Sequence, residues 1–136
     1  MKASVKVVQK PWGHEIWYAH APAYAGKILF LKKGHRLSLQ YHVKKSETVY
    51  VLKGNLALEL AGRKHKVGAG RSFDIFPKMV HRFAAPYGPV TLLEVSSPEL
   101  WDVVRLSDDY GRLQANGSRP PRAAGRKPRA RSPRRL

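Results

Sequence analysis

Gly34-His35-Arg36-Leu37-Ser38-Leu39-Gln40-Tyr41-His42-Val43-Lys44-Lys45-Ser46-Glu47-Thr48-Val49-Tyr50-Val51-Leu52-Lys53-Gly54 is the stretch around which the 136-residue chain is organised. Apolar and polar residues alternate in its two halves with the period of a β-strand, in which residues i and i+2 face the same side. That parity sends Gln40 and His42 to one face and Leu37, Leu39 and Tyr41 to the other. After a short polar connection, Val43 to Ser46, Glu47 shares a face with Val49 and Val51, while Thr48, Tyr50 and Leu52 take the opposite one. An amide, an imidazole and a carboxylate can therefore converge from two successive strands.

Outward from this stretch the chain repeats one rhythm, five to seven β-compatible residues closed by glycine or proline. Residues 1 to 13 read as an extended arm ending in a Pro-Trp-Gly turn. His14 to Ala19, Lys27 to Leu31, Arg36 to His42, Glu47 to Leu52, Asn55 to Leu60, Ser72 to Phe76, Val80 to Ala84, Val90 to Val95 and Trp101 to Leu106 are the strand candidates. Lys53-Gly54 has the glycine of a tight hairpin. Gly62 to Gly70 reads as a polar loop with at most one short strand, and Pro98 to Leu100 as at most a helical turn. About ten short strands at regular spacing predict an all-β sandwich or barrel, closed as a jelly roll.

Composition limits what such a domain can do. There is no cysteine, which excludes disulfides and thiolate metal sites and leaves imidazole, carboxylate and amide groups as ligands. No apolar run is long enough for a signal peptide or a membrane span, so a cytoplasmic protein is expected. The net charge of +17 is uneven: residues 112–136 hold eight arginines, one lysine, four prolines and no acidic residue, leaving 17 − 9 = 8 excess positive charges elsewhere. This divides the chain into a barrel with its N-terminal arm, 1–111, and a tail, 112–136, too poor in large apolar side chains to fold. Without aromatic residues for base stacking, the tail is expected to meet polyanions only through salt-dependent, sequence-independent contact.

Two spacings resemble the motifs of the cupin superfamily. Gly34, Gln40, His42, Glu47 and Gly54 are similar to the first motif, with Gln40 where most cupins have a histidine. Gly70, Phe76-Pro77-Lys78 and His81 resemble the second, with Phe76 and Lys78 where a proline and a glycine are usual and Ala85 where asparagine is frequent. Lys10-Pro11-Trp12-Gly13 and Leu37-Ser38-Leu39-Gln40 are similar to the phosphomannose isomerase branch, in which glutamine takes the first ligand position. The resemblance covers roughly residues 8 to 111. It implies a double-stranded β-helix and a divalent metal held by Gln40, His42, Glu47 and His81, an N/O set suited to zinc first, then manganese, iron, cobalt or nickel.

The activity this implies is isomerisation of a sugar or sugar phosphate, mannose 6-phosphate isomerase-like, in which the metal polarises the substrate oxygens while a base moves a proton between adjacent carbons through an enediol. The alternative is a non-catalytic, metal-dependent cupin that binds a small polar ligand; an oxygen-using enzyme is disfavoured because Gln40 replaces a histidine. The sequence identifies no base, and Glu94, Glu59 and Asp74 read as exposed carboxylates. His35 reads as a surface residue, Arg82 as facing away from the site into solvent, and Lys27, Lys32, Lys44, Lys45 and Arg36 as solvated surface charge. Trp12, Trp17, Tyr18 and Tyr24 form an aromatic N-terminal group, expected to pack in the core or at the contact of a homodimer formed through the arm around Trp12.

Overall fold

A computed structural model describes residues 4–113; the first three residues and residues 114–136 of the tail lie outside them, while Arg112, the first residue of the expected tail, is tied to Asp108. The described chain is all β: β1 (Lys6–Lys10), β2 (Gly13–His20), β3 (Ala25–Leu31), β4 (Leu39–Tyr41), β5 (Glu47–Lys53), β6 (Asn55–Leu60), β7 (Arg63–Gly68), β8 (Ser72–Ile75), β9 (His81–Ala84), β10 (Val90–Ser96) and β11 (Val104–Ser107). Every pairing is antiparallel. They form a six-stranded sheet in the order β1-β2-β3-β10-β5-β8 and a five-stranded sheet in the order β11-β4-β9-β6-β7. The two faces enclose one core, as in a jelly roll.

Two expectations about elements change. The polar segment after Gly62 is a full strand, β7, paired along all of β6; its lysines and arginine sit on an edge strand, where charge suppresses further pairing. The segment before His42 is shorter than expected, because only Leu39–Tyr41 is strand and Arg36 makes a single bridge to Ala84. With regular strand lost at the buried Ser38, Leu37 packs against the core on the side where Gln40 also lies, so the predicted opposite parity fails there. No helix occurs among the described residues.

Inward-facing positions change character along the barrel. In β3, Leu29 and Leu31 are buried, in β5 Val49 and Val51, and in β10 Val90 and Leu92, and all six belong to the core with Leu56, Leu58 and Phe83 from the facing sheet. Burying each such side chain stabilises the fold by about 1.5–3 kcal/mol. Toward the other end the same inward rows continue as Lys27 in β3, Glu47 in β5 and Glu94 in β10, all buried. One end of the barrel is therefore a packed core and the other a polar pocket. Trp12, at 1% exposure, plugs the core between them, so it is not available for the subunit contact expected of it.

The turns that frame the site demand unusual backbone. Lys78 has φ 70°, the left-handed region that glycine usually occupies, and its amide donates to the carbonyl of His42. Gly54 has φ 88°, and a β-carbon there would lie 2.4 Å from the carbonyl oxygen of Pro89. Gly34 has a similar φ of 85° but open space around it. Gly54→Ala should therefore lower stability by about 3 kcal/mol or more, whereas Gly34→Ala should lose only about 1–2 kcal/mol. Urea unfolding of the two variants checks the order.

Candidate metal centre

β9 brings His81 beside Gln40 of β4, its register partner, and β5 opens with Glu47 opposite Ser96 of β10. His42 follows β4 directly. The three side chains His42, Glu47 and His81 are each 5% exposed or less. Their ligand atoms all lie within 4.8 Å of one another, so the group could hold a metal ion. Nε2 of His42 is 3.2 Å from Oε2 of Glu47, and Nε2 of His81 is 3.6 Å from the same oxygen.

The other ring nitrogens decide what those Nε2 atoms are. Nδ1 of His42 lies 2.6 Å from the carbonyl oxygen of Asp102, and Nδ1 of His81 lies 2.9 Å from that of Met79. A carbonyl can only accept, so each Nδ1 carries the proton, and in a neutral imidazole each Nε2 then presents a bare lone pair. Burial pushes the pKa of His81 down to about 4, more strongly than Glu47 raises it. Glu47 feels burial as an upward push, but its charged surroundings, the Lys45 ammonium first among them, outweigh it and hold the carboxyl well below its usual range. Two nitrogen lone pairs and an anionic oxygen thus face one another from buried side chains. A divalent cation fits that donor set, and the backbone carbonyls behind both rings orient them for it.

Gln40 shares the cavity. Its Nε2 donates to Oγ of Ser38 at 2.8 Å, which leaves the amide oxygen as the atom it could offer. The wider pocket, about 520 Å³ including its open mouth, is also lined by Lys10, Glu15, Lys27, Lys45, Glu94, Arg105 and Arg112. Lys45, read as solvated, is 3% exposed and sets its ammonium 3.3 Å from Oε1 of Glu47 and 3.0 Å from Oε2 of Glu94. Lys27 is likewise buried and pairs with Glu15 at 3.2 Å, while Trp17 donates to the same carboxylate. Lone charges could not be buried so deeply; opposed charges can.

Glu94, read as exposed, is 2% exposed, and burial together with Glu47 raises its pKa to about 7. Its inward position in β10 was visible in the alternation with Leu92 and Val90, which the sequence reading did not apply to a charged residue. Arg82, read as solvated, faces away from the site as expected but is 8% exposed and donates to the carbonyls of Leu37 and Ser107. His35 is held by the hydroxyl of Tyr110 at 3.0 Å, outside the pocket. The aromatic residues near the N-terminus separate: Trp12 is core, Tyr18 lies over Gly26, and Tyr24 is exposed.

Asp102 is the functional residue that sequence reasoning missed. Its carboxylate accepts from the amides of Val43, Lys44 and Lys45 at 3.0, 2.6 and 2.8 Å, while its carbonyl fixes His42. One residue thereby anchors the loop between His42 and Glu47 from 55 positions away (102 − 47 = 55). Burial would raise the pKa of Asp102, but the three amides lower it below 3.8. A carboxyl with a depressed folded pKa stabilises above its unfolded pKa and loses that contribution as pH falls through the folded value. Asp102→Ala should therefore lower stability by about 1–3 kcal/mol at neutral pH, and the gap between variant and parent should close as the medium is acidified below about pH 4. Thermal melts across pH measure both.

Comparison with known proteins agrees with this architecture. The family profile of the mannose-6-phosphate isomerase C-terminal domain matches residues 2–109. Mannose-1-phosphate guanylyltransferase ManC of Salmonella typhimurium is 32% identical over 110 residues, 78% of this chain but 23% of that protein. Alginate biosynthesis protein AlgA of Pseudomonas aeruginosa is 31% identical over 109 residues, 77% of this chain and again 23% of the relative. The chain thus spans less than a quarter of the length of these relatives. Among solved structures, KdgF from Halomonas sp. superposes with a TM-score of 0.63 at 21% identity, covering 71% of this chain and 86% of that one. At that identity the likeness is one of fold, and the fold is a cupin.

Proposed function

The chain belongs to the family of the mannose-6-phosphate isomerase C-terminal domain, and from that premise we propose that it is a metal-dependent isomerase of a sugar or sugar phosphate, working in the cytoplasm. The observation that carries this reading is the meeting of two bare imidazole nitrogens and one carboxylate oxygen inside the polar end of the barrel. His42, Glu47 and His81 would hold the ion, zinc first among the candidates, with the amide oxygen of Gln40 as fourth ligand. When bound, a divalent ion would supply Lewis-acid stabilisation of the charge that develops on a sugar oxygen.

The chain's own residues supply the rest. Isomerisation takes a proton from the carbon beside the carbonyl and returns one to the former carbonyl carbon, so a group that both accepts and donates must line the pocket. Glu94 suits that role, because it lies against the pocket, inside the barrel, and its Oε2 receives no well-directed hydrogen bond despite the nearby Lys45 ammonium. Lys45 would steady the charge as the proton comes and goes. Lys10 and Arg105 form no ion pair among the described residues, and Nε of Arg105 is buried without a hydrogen-bond partner, so the mouth keeps positive charge suited to a phosphate group.

The test is interconversion of mannose 6-phosphate and fructose 6-phosphate by the purified chain, abolished by chelator and restored by added metal. His42→Ala with His81→Ala should lose the metal while the barrel stays folded, and Gln40→His should keep or tighten it. Glu94→Gln should lower kcat by about 100-fold or more with metal content unchanged. Arg105→Met should raise KM for the phosphorylated sugar about tenfold, a loss of about 1.4 kcal/mol, while leaving its kcat alone. Binding of the sugar phosphates without interconversion would replace this reading with that of a non-catalytic ligand-binding cupin. Stoichiometric metal in the double histidine variant would remove its basis.

A further inference from the structure

The segment after β11 stays on the barrel. The Asp109 carboxylate accepts from Arg36 at 2.7 and 3.0 Å, and the Tyr110 hydroxyl meets Nδ1 of His35 at 3.0 Å while its ring packs against the core. Gly111 then takes a left-handed turn, φ 74°, and Arg112 closes on Asp108. Nε of Arg112 donates to Oδ2 of Asp108 at 3.0 Å, Nη2 to Oδ1 at 2.8 Å, and the Arg112 amide to Oδ2 at 2.7 Å. The Asp108 side chain is wholly buried, whereas that of Arg112 is 22% exposed. The guanidinium carbon also lies 5.5 Å from the centre of the Tyr110 ring. Arg112 is thus held in plane by a carboxylate and against its face by an aromatic ring.

A guanidinium has five N–H donors, and Asp108 takes two of them. The rest of the Arg112 fork makes no hydrogen bond among the described residues, on a side chain that lines the pocket. Lys10 and Arg105 line the same pocket, and Nε of Arg105 is buried without a partner. Burial lowers the pKa of Lys10, and Lys27, Arg105 and Arg112 push it the same way against Glu15. Burial likewise lowers that of Arg105, with Arg112 adding to the effect. Like charges gathered partly out of water cost free energy unless an anion joins them. Charge also sizes that anion. Lys10, Lys27, Arg105 and Arg112 stand against Glu15, which pairs with Lys27, and Asp108, which pairs with Arg112, a surplus of 4 − 2 = 2 positive charges. A phosphomonoester carries about −1.5 to −2 at pH 7, whereas a carboxylate or a phosphodiester is singly charged and leaves part of the surplus uncompensated.

We propose that Arg112, aimed by Asp108, completes with Lys10 and Arg105 a site for a phosphomonoester at one end of the pocket. That the phosphate is carried by a sugar rests on the isomerase reading; the phosphate site itself does not. Bound there, the phosphate leaves the sugar carbons to extend toward Glu94 and the histidines, so the pocket selects a phosphorylated sugar over a free one. Arg112 is a binding residue in this arrangement and Asp108 a positioning residue.

Two measurements on the full chain test the site: calorimetric titration with inorganic phosphate in the presence of chelator, at physiological salt where contacts of the tail with anions are screened, and the ratio of kcat/KM for mannose 6-phosphate to that for mannose. Arg112→Met should weaken phosphate binding and lower the ratio, each by about 30-fold, as expected for loss of a hydrogen-bonded charge. Arg112→Lys should recover part of both, because an ammonium keeps the charge without the fork. Asp108→Asn separates aiming from neutralisation. If Asp108 merely offset the charge of Arg112, its removal would tighten phosphate binding; as a positioning residue, its loss should weaken phosphate by about threefold or more, with the ratio falling in step. Phosphate binding that depends on Arg112 and Asp108, in a chain that interconverts no sugar, supports the site and removes the isomerase reading alone. Unaltered phosphate binding in Arg112→Met, an unchanged ratio in that variant, or tighter phosphate binding in Asp108→Asn overturns the proposal.

Discussion

Two histidine nitrogens and a carboxylate oxygen, all buried and all presenting lone pairs to the same point, are the constraint on which the rest of this structure depends. Nε2 of His42 and of His81 stand 3.2 and 3.6 Å from Oε2 of Glu47, with the proton of each ring committed to a backbone carbonyl on its far side. Such a cluster is electrostatically unfavourable by itself, since its members turn electron-rich atoms toward one another out of water. A divalent ion would turn the same geometry from a cost into a binding site, and competition between the ion and protons for the rings would make its binding depend on pH.

The barrel holds this cluster by dividing its interior. Leucine and valine fill one end of the inward rows, and charged side chains continue the same rows at the other. Lys45 between Glu47 and Glu94, and Lys27 beside Glu15, make the second half tolerable by pairing opposite charges out of water. Asp102 ties the short loop between His42 and Glu47, and the Phe76-Pro77-Lys78 turn, through the amide of Lys78 on the carbonyl of His42, ties the segment leading to His81 to the same loop. The site therefore sits on rigid strands closed by hydrogen bonds.

Much of this was legible from residues alone, and the failures share a cause. Strand parity correctly put Glu47 on the face of Val49 and Val51, and the glycine spacing around Gln40, His42, Glu47 and His81 led to the cupin fold. Parity failed at Leu37, where the strand breaks at Ser38, and a charged, edge-forming β7 looked like a loop because its pairing with β6 satisfies the backbone whatever the side chains are. Lys45, Lys27, Arg82 and Glu94 were misread as exposed for a related reason: charge predicts exposure only when no opposite charge or carbonyl is waiting inside, and partners such as Glu94 for Lys45 or the Leu37 carbonyl for Arg82 come from segments remote in sequence. Asp102 left no local signal at all, because its work consists of reaching amides of the loop after His42.

The most direct measurement of the central claim is anomalous diffraction from crystals of the chain grown with zinc, collected on both sides of the zinc edge. One anomalous peak bounded by Nε2 of His42, Nε2 of His81 and the carboxylate of Glu47 is the predicted result. Fully zinc-loaded crystals without a peak there, or with the ion held elsewhere while the two rings keep their distance from Glu47, would contradict it.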